Sequence, residues 1–283
     1  MKFHMNTSEI FVPDNTPVED AIKRTTHMGI SAHQDDLEIM AFKGVLECFG
    51  QSDKWFLGVV VTDGAGSPRD DIYAKYTDDE MRKVRRVEQK KAAFVGEYTA
   101  QALLDFPSSA VKDPENTDVV DDLACLFAAA KPNYVYTHNL ADKHDTHIGT
   151  ATKVIKAIRT LPKEDRPKAV YGCEVWRSLD WLADADKTVL DVAAHENLAT
   201  ALLGVFDSQI AGGKRYDLAT MGRRRANATY HASHGVDDST SIAFAMDMTP
   251  LIEDKTLDIK EFVEGYIRNF AKDVSDRLTR VLG

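Results

Sequence analysis

Cysteine is scarce in this 283-residue chain: Cys48, Cys125 and Cys173 are far apart and odd in number. No C-x-x-C pair exists, which argues against a disulfide framework or a cysteine-rich zinc knuckle; reduced, mostly buried thiols are expected. Long apolar runs are missing too. No stretch is long enough to span a bilayer, and the opening MKFHMNTSEIF has no apolar signal-peptide core, so a cytoplasmic protein is expected. Positive charge is in deficit, with 35 Lys and Arg against 45 Asp and Glu and a formal net charge of -10. An acidic surface does not attract polyanions, so neither nucleic acid nor a membrane surface is an expected partner, although a local basic pocket stays open. There is no internal repeat and no low-complexity linker. The glycine-rich turn Gly64-Ala65-Gly66 is no dinucleotide fingerprint, because no G-x-G-x-x-G opens a helix there.

What is present reads as an ordinary globular chain, 43% hydrophobic and 28% charged, long enough to bury a sizeable core. Residues 1–24 read as an arm plus one short helix opened by Thr16-Pro17-Val18-Glu19, and residues 25–283 as one domain. Apolar Met28–Ala32 predicts a buried strand and Ile39–Phe49 a helix. Trp55–Val61, rich in β-branched and aromatic residues, predicts a buried parallel strand that ends at the turn-forming Thr62–Gly66. The capping box Thr77-Asp78-Asp79-Glu80 opens a helix running to about Gly96, and a short strand is expected near Ala102–Phe106. Helical spacing from Val119 to Ala130 and from Ile148 to Ile158 brackets a strand at Tyr134–Tyr136. Ala169–Val175 and Ser241–Met246 are further strand candidates, and Ile259–Phe270 an amphipathic C-terminal helix. The alternation predicts an α/β, Rossmann-like, mostly parallel sheet with helices on both faces and a helical C-terminal extension.

In such a sheet, functional residues gather past the carboxyl ends of strands. His33-Gln34-Asp35-Asp36, Asp63–Gly66 and the segment His138–His147 (HNLADKHDTH) all fall there. Adjacent carboxylates at the end of a buried strand repel each other, and a divalent cation would remove that cost. His33 and Asp36 with one histidine from the later loop would supply the three protein ligands of a catalytic zinc, leaving Asp35 free as a general base. The bland alternatives are a helix-capping turn for the first cluster and solvated loop histidines for the second. Nitrogen and oxygen donors would also accept Fe2+ or Co2+.

These motifs, in this order, resemble the LmbE-like, or PIG-L, family of N-acetylglucosaminyl deacetylases, zinc enzymes that remove acetate from N-acetylated amino sugars. The family's A-H-P-D-D stands here as Ala32-His33-Gln34-Asp35-Asp36. Its T-D-G is Thr62-Asp63-Gly64, its R-x-x-E is Arg85–Glu88, and its D-x-H-P-D-H is Asp142-Lys143-His144-Asp145-Thr146-His147; Ser208-Gln209 is a weaker echo. The resemblance implies one zinc per chain on His33, Asp36 and His147, with Asp35 as general base toward the attacking water. It also implies a protonated His144 stabilising the oxyanion, and Arg85, Asp63 and Gly64 contacting substrate. Gln34 and Asp145 replace family prolines. Thr146 replaces the aspartate that supports the catalytic histidine, so Asp142 or Asp145 is expected to take over that support. For Arg85 the alternative is an i,i+3 surface pair with Glu88.

The resulting expectation is a zinc-dependent hydrolase acting on a small amino-sugar conjugate of the N-acetylglucosamine type. Its rivals are the same machinery turned on another acylated amine, or a non-catalytic metal-containing sugar-binding module. A homo-oligomer stays open. Arg69 and Arg85 are expected to favour anionic groups if both line the mouth. Arg223-Arg224-Arg225 reads as a solvated surface, His231 and His234 as solvent or a pocket rim, and one of Trp176 and Trp181 as core.

Overall fold

Strands covered by helices on both faces have no solvent side, and their sequences lose the polar alternation of exposed sheets. The computed structural model, which describes residues 1–283, shows this in the middle of one eight-stranded sheet. The arm carries β1 (Glu9–Phe11) and α1 (Val18–Lys23), followed by β2 (His27–Ser31), which is buried throughout. Then come α2 (Asp36–Met40), α3 (Phe42–Cys48) and β3 (Phe56–Thr62), also buried throughout. The long α4 (Asp78–Val95) opens with the Thr77–Glu80 capping box and leads to β4 (Ala100–Phe106). After α5 (Ser108–Lys112) and α6 (Asp118–Ala130), β5 (Tyr134–His138) precedes α7 (Asp145–Thr160) and β6 (Ala169–Cys173). The remainder is β7 (Thr188–Asp191), α8 (Glu196–Gly204), α9 (Asp207–Ile210), α10 (Tyr216–Tyr230), β8 (Ile242–Asp247), α11 (Thr249–Glu253) and α12 (Ile259–Leu282).

The strand order is β1-β4-β3-β2-β5-β6-β8-β7. The five strands from β4 to β6 run parallel, while β1, β8 and β7 add antiparallel edges. The chain steps from β2 outward to β4, then returns to β5 and steps the other way. The crevice between β2 and β5 is therefore the topological switch point. One hydrophobic cluster packs strand residues such as Met28 and Val59 against α1, α6 and α7. The other packs Phe56 and Val60 against α2, α3, α4 and α8. Helices thus cover both faces, as expected from the alternation. No helix is long and apolar enough to cross a membrane.

Three local expectations are corrected. The arm enters the sheet, with Ile10 opposite Ala102 on β4. A second unforeseen strand, β7, pairs with β8. The helix expected over Ile39–Phe49 begins earlier and is two helices that break at Ala41. At that break Arg224 Nη2 donates to the carbonyl oxygens of Glu38 and Ile39, 3.0 Å each, the acceptors that a continuous helix would offer to residues 42 and 43. Cys48 and Cys173 are buried, Cys125 is exposed, and all three are free thiols.

Candidate metal centre and active site

The loop leaving β2 makes a sharp turn at Asp35, whose φ of 90° is a strained conformation for a residue with a side chain. The turn starts α2 at Asp36 and aims its carboxylate back at the sheet. His33 N donates to Asp36 Oδ2 at 2.8 Å, closing the loop on itself. From the other side of the crevice, α7 begins just after His144 and brings in His147 on its first turn.

Three donor atoms meet between these loops. His33 Nδ1 lies 3.2 Å from His147 Nε2 and 3.2 Å from Asp36 Oδ2, and His147 Nε2 is 3.4 Å from the same oxygen. Lone pairs facing one point repel unless something positive sits among them. For a tetrahedral ion bound at about 2.0–2.1 Å, the ligand–ligand edges are roughly 3.3–3.4 Å. The triangle therefore fits one small divalent cation with nitrogen and oxygen ligands, on the residues expected from the sequence. His147 is fully buried, and its Nδ1 stands 3.5 Å from Asp142 Oδ2, a carboxylate placed as an outer-shell partner to a ligand imidazole.

Burial and the charges of neighbouring side chains set the proton affinities of these groups. Burial, and then the adjacent Asp36, push the Asp35 carboxyl well above its usual range. Burial would raise Asp36 as well, but the rings of His147, His138 and His33 overcome this and hold it well below the usual carboxylate range. Burial brings His33 down to about 4, which leaves the neutral imidazole a ligand requires. For His147, burial works downward but the Asp36 and Asp142 carboxylates prevail and raise it. Glu38, the last acid of the motif, is fully buried and pushed up to about 7 by burial; it accepts from Gln89 Nε2 and Tyr98 Oη, both at 2.9 Å.

His144 lines a cavity of about 480 Å3 that opens over the triangle and is bordered also by Asp35, Arg85, Trp176 and Tyr216. The expected carboxylate support for this histidine is not what holds it. Asp142 faces His147, and His144 Nδ1 accepts from the Thr146 backbone N–H at 3.3 Å as the cap of α7. That bond occupies the Nδ1 lone pair, so the neutral ring carries its proton on Nε2. Burial, followed by the neighbouring His147, lowers the His144 pKa. The Thr146 bond and the lowered proton affinity both favour the neutral ring, against the protonated His144 that the resemblance implies.

The other expected contacts separate. Gly64 lines the cavity with φ of 72°, a conformation that favours glycine, and a Cβ there would come within 2.2 Å of Gln34 Oε1. Asp63 does not line it: its carboxylate accepts from Arg82 and from Ala65 N. Arg85 is no surface partner of Glu88, and it borders the cavity. It is buried, donating through Nη2 to Gln34 O at 2.7 Å and through Nη1 to Gly64 O at 3.1 Å, with Nη2 3.8 Å from Asp35 Oδ1. It fastens the strained Asp35 loop to α4. Glu88 instead accepts from Ser208 N and Oγ, at 2.8 and 2.6 Å, which gives the Ser208-Gln209 echo a structural meaning. Arg69 is held by Ala65 O and Asp78, outside the cavity lining. Trp181 packs on the core, and His231 and His234 lie away from the cavity. Of the three consecutive arginines only Arg225 is exposed; Arg224 is buried over the Phe42 ring, and Arg223 donates to Val175 O.

His138 was not singled out from the sequence, although it heads the HNLADKHDTH segment. At the end of β5 it is fully buried, stacked 3.8 Å from the His147 ring, and its Nε2 accepts from Ala32 N at 2.8 Å. With that lone pair engaged, it ties the β2 loop to the β5 loop and leaves the triangle as the better ligand set. Two further groupings of suitable donors overlap the triangle, His33–His144–His147 and Asp36–His138–His147, the latter with Asp36 Oδ2 3.5 Å from His138 Nε2.

A nitrogen–oxygen donor triangle at the switch point of a Rossmann-like sheet, with a free carboxylate beside it, defines the class: an α/β protein with a candidate mononuclear metal centre. Residues 28–158 match the family described as PIG-L, GlcNAc-PI de-N-acetylase, and the chain carries a domain of that family. Among solved structures, GalB, the 4-carboxy-2-hydroxymuconate hydratase of Pseudomonas putida, aligns with TM-score 0.58 and 16% identity over 79% of this chain and 95% of its own. The N,N'-diacetylchitobiose deacetylase of Pyrococcus horikoshii gives 0.57 and 16%, over 78% and 83% of the two chains. The zinc-inhibited form of teicoplanin deacetylase Orf2 gives 0.57 and 14%, over 78% and 97%. At these identities the likeness is one of fold. No curated protein matches the chain in sequence.

Proposed function

We propose that this chain is a metal-dependent hydrolase that removes the acetyl group from an N-acetylated amino sugar, with zinc as its ion. The observation that carries the reading is the donor triangle with Asp35 outside it: a purely structural metal site has no use for a strained, buried carboxylate beside its ligands. The family match over residues 28–158 and the deacetylases among the fold neighbours support it.

His33, Asp36 and His147 would hold the ion, which when bound would polarise the scissile carbonyl and acidify water. Asp35 accepts the proton of the attacking water; its raised proton affinity suits a base that must also give the proton up. Arg85 fixes Asp35 through the Gln34 and Gly64 carbonyls. His144 donates from Nε2 to the developing oxyanion as a preorganised dipole, which needs no charge of its own. Trp176 and Tyr216 offer an aromatic wall to the sugar.

A second reading has one specific support, the likeness to a hydratase, since one fold can serve several reactions. Acetate release across a panel of N-acetylhexosamine conjugates, with and without chelator, tests the proposal. Metal-dependent acetate release is expected. Metal-dependent water addition to an unsaturated carboxylate, with no acetate from any conjugate, would favour the second reading.

A further inference from the structure

The cavity over the donor triangle has positive charge that the proposed reaction does not use. Its cationic lining consists of Arg85, Lys112 and Lys214. Arg85 faces Asp35 and is engaged by two carbonyls. Lys112 and Lys214 face no carboxylate, whereas the nearby Arg69, Arg82 and Arg215 pair with Asp78, Asp63 and Asp217. In a chain of net charge -10, these two lysines place unpaired positive charge in the cleft.

Both are placed by the backbone. Lys112 ends α5. Lys214 follows a tight turn in which Gly213 has φ of 108° and a Cβ on Gly212 would come 2.1 Å from Ser208 O. Its N–H donates to Gln209 O at 2.9 Å, and its ammonium sits 5.1 Å from the centre of the Trp176 ring, a contact that orients the side chain over the cavity wall. On the same lining, Ser67 Oγ is buried with no hydrogen-bond partner.

We propose that Lys112 and Lys214, with Ser67 Oγ as a further donor, bind an anionic group on the substrate, a phosphate or a carboxylate. The conjugate acted on is then an acidic amino sugar. A cleft lined by one sign of charge focuses its field and reverses, locally, the repulsion of an acidic protein for such a ligand. For its substrate the inference rests on the deacetylase reading; for the anion site it does not.

The test uses the full chain in two arms. In the first, calorimetry at low ionic strength measures inorganic phosphate binding to the wild type, to Lys112→Ala/Lys214→Ala, and to wild type stripped of metal by chelation. Binding should weaken on the order of tenfold or more in the double variant, as expected for lost charge-assisted bonds, and persist without metal. Phosphate that needs the metal and ignores the lysines, or that does not bind at all, overturns the proposal. An unchanged melting temperature of the double variant confirms that its fold is intact.

In the second arm, kcat/KM is compared for N-acetylglucosamine carrying a phosphate ester, carrying a carboxylate, and unsubstituted. An acidic form should be favoured on the order of tenfold, through KM, and that ratio should collapse in the double variant and fall with added salt. The better of the two acidic forms identifies the anion. Equal efficiency on acidic and neutral sugars overturns the acidic-substrate inference and leaves the hydrolase standing. No acetate from any of them overturns the deacetylase reading, and the phosphate arm still decides the anion site.

Discussion

Replacing Arg85 separates a residue that holds the site from one that holds the substrate. In Arg85→Met the aliphatic bulk is kept and the guanidinium lost. Two buried carbonyls, Gln34 O and Gly64 O, then lose their donors, and Asp35 loses the cation 3.8 Å away. Each orphaned buried acceptor costs about 1–3 kcal/mol, so a destabilisation of about 3 kcal/mol is expected once water and relaxation recover part of it. For a chain of this size that lowers Tm by about 5 °C. Because the strained Asp35 turn is what Arg85 secures, kcat should fall on the order of tenfold to a hundredfold, as when a general base drifts from its water. KM should move little. Arg85→Lys keeps the charge but cannot bridge both carbonyls, and should recover only part of the loss. Thermal unfolding followed by steady-state acetate release across substrate concentrations checks this. An unchanged Tm with a raised KM and intact kcat would refute the positioning role and return Arg85 to the substrate.

Other outcomes follow from the same geometry. Asp36→Ala and His147→Ala should each remove near-stoichiometric metal from purified protein, read by elemental analysis; full occupancy in the double variant would contradict the triangle. His144→Ala should slow acetate release on the order of a hundredfold with metal content unchanged, as for a lost oxyanion donor; wild-type turnover in that variant would remove His144 from the chemistry. Burial brings His27 down from 6.5 to about 4, so the unfolded chain binds its proton first and stability is lost as pH falls from about 6.5 toward 4. Allowing for solvent screening this amounts to about 2 kcal/mol, so the Tm of His27→Gln should gain on that of wild type over this window, and parallel Tm curves would contradict it.

The sheet was legible because fully buried parallel strands such as Phe56–Thr62 carry an uninterrupted apolar signal. Glu9–Phe11 and Thr188–Asp191 were not, since edge strands this short have too few residues to show a period. The candidate metal donors stood out because two come from one tight loop and the third from a dense histidine segment, each at a strand end. The role of Arg85 did not, because its partners are carbonyl oxygens, which no side-chain pattern records. The run Arg223-Arg224-Arg225 misled for a geometric reason: successive helical residues turn about 100° apart, so three in a row must meet three environments. One is exposed, one reaches Val175 O, and one is buried where α2 ends. His144 lies on the cavity, and its Nδ1 accepts from the Thr146 backbone rather than facing a carboxylate, a contact that no side-chain pattern records. Lys112 and Lys214 lie on distant segments that only the fold brings to one cavity.

The central claim is that Asp35 is a base beside a metal it does not bind. The most direct measurement is the rate of acetate release from an N-acetylglucosamine conjugate by metal-loaded Asp35→Asn, with its metal content determined on the same sample. An amide keeps the shape but accepts no proton, so turnover should fall on the order of a hundredfold or more while metal stays at the wild-type level. Wild-type acetate release by the metal-loaded variant, or loss of the metal together with the activity, would contradict the account.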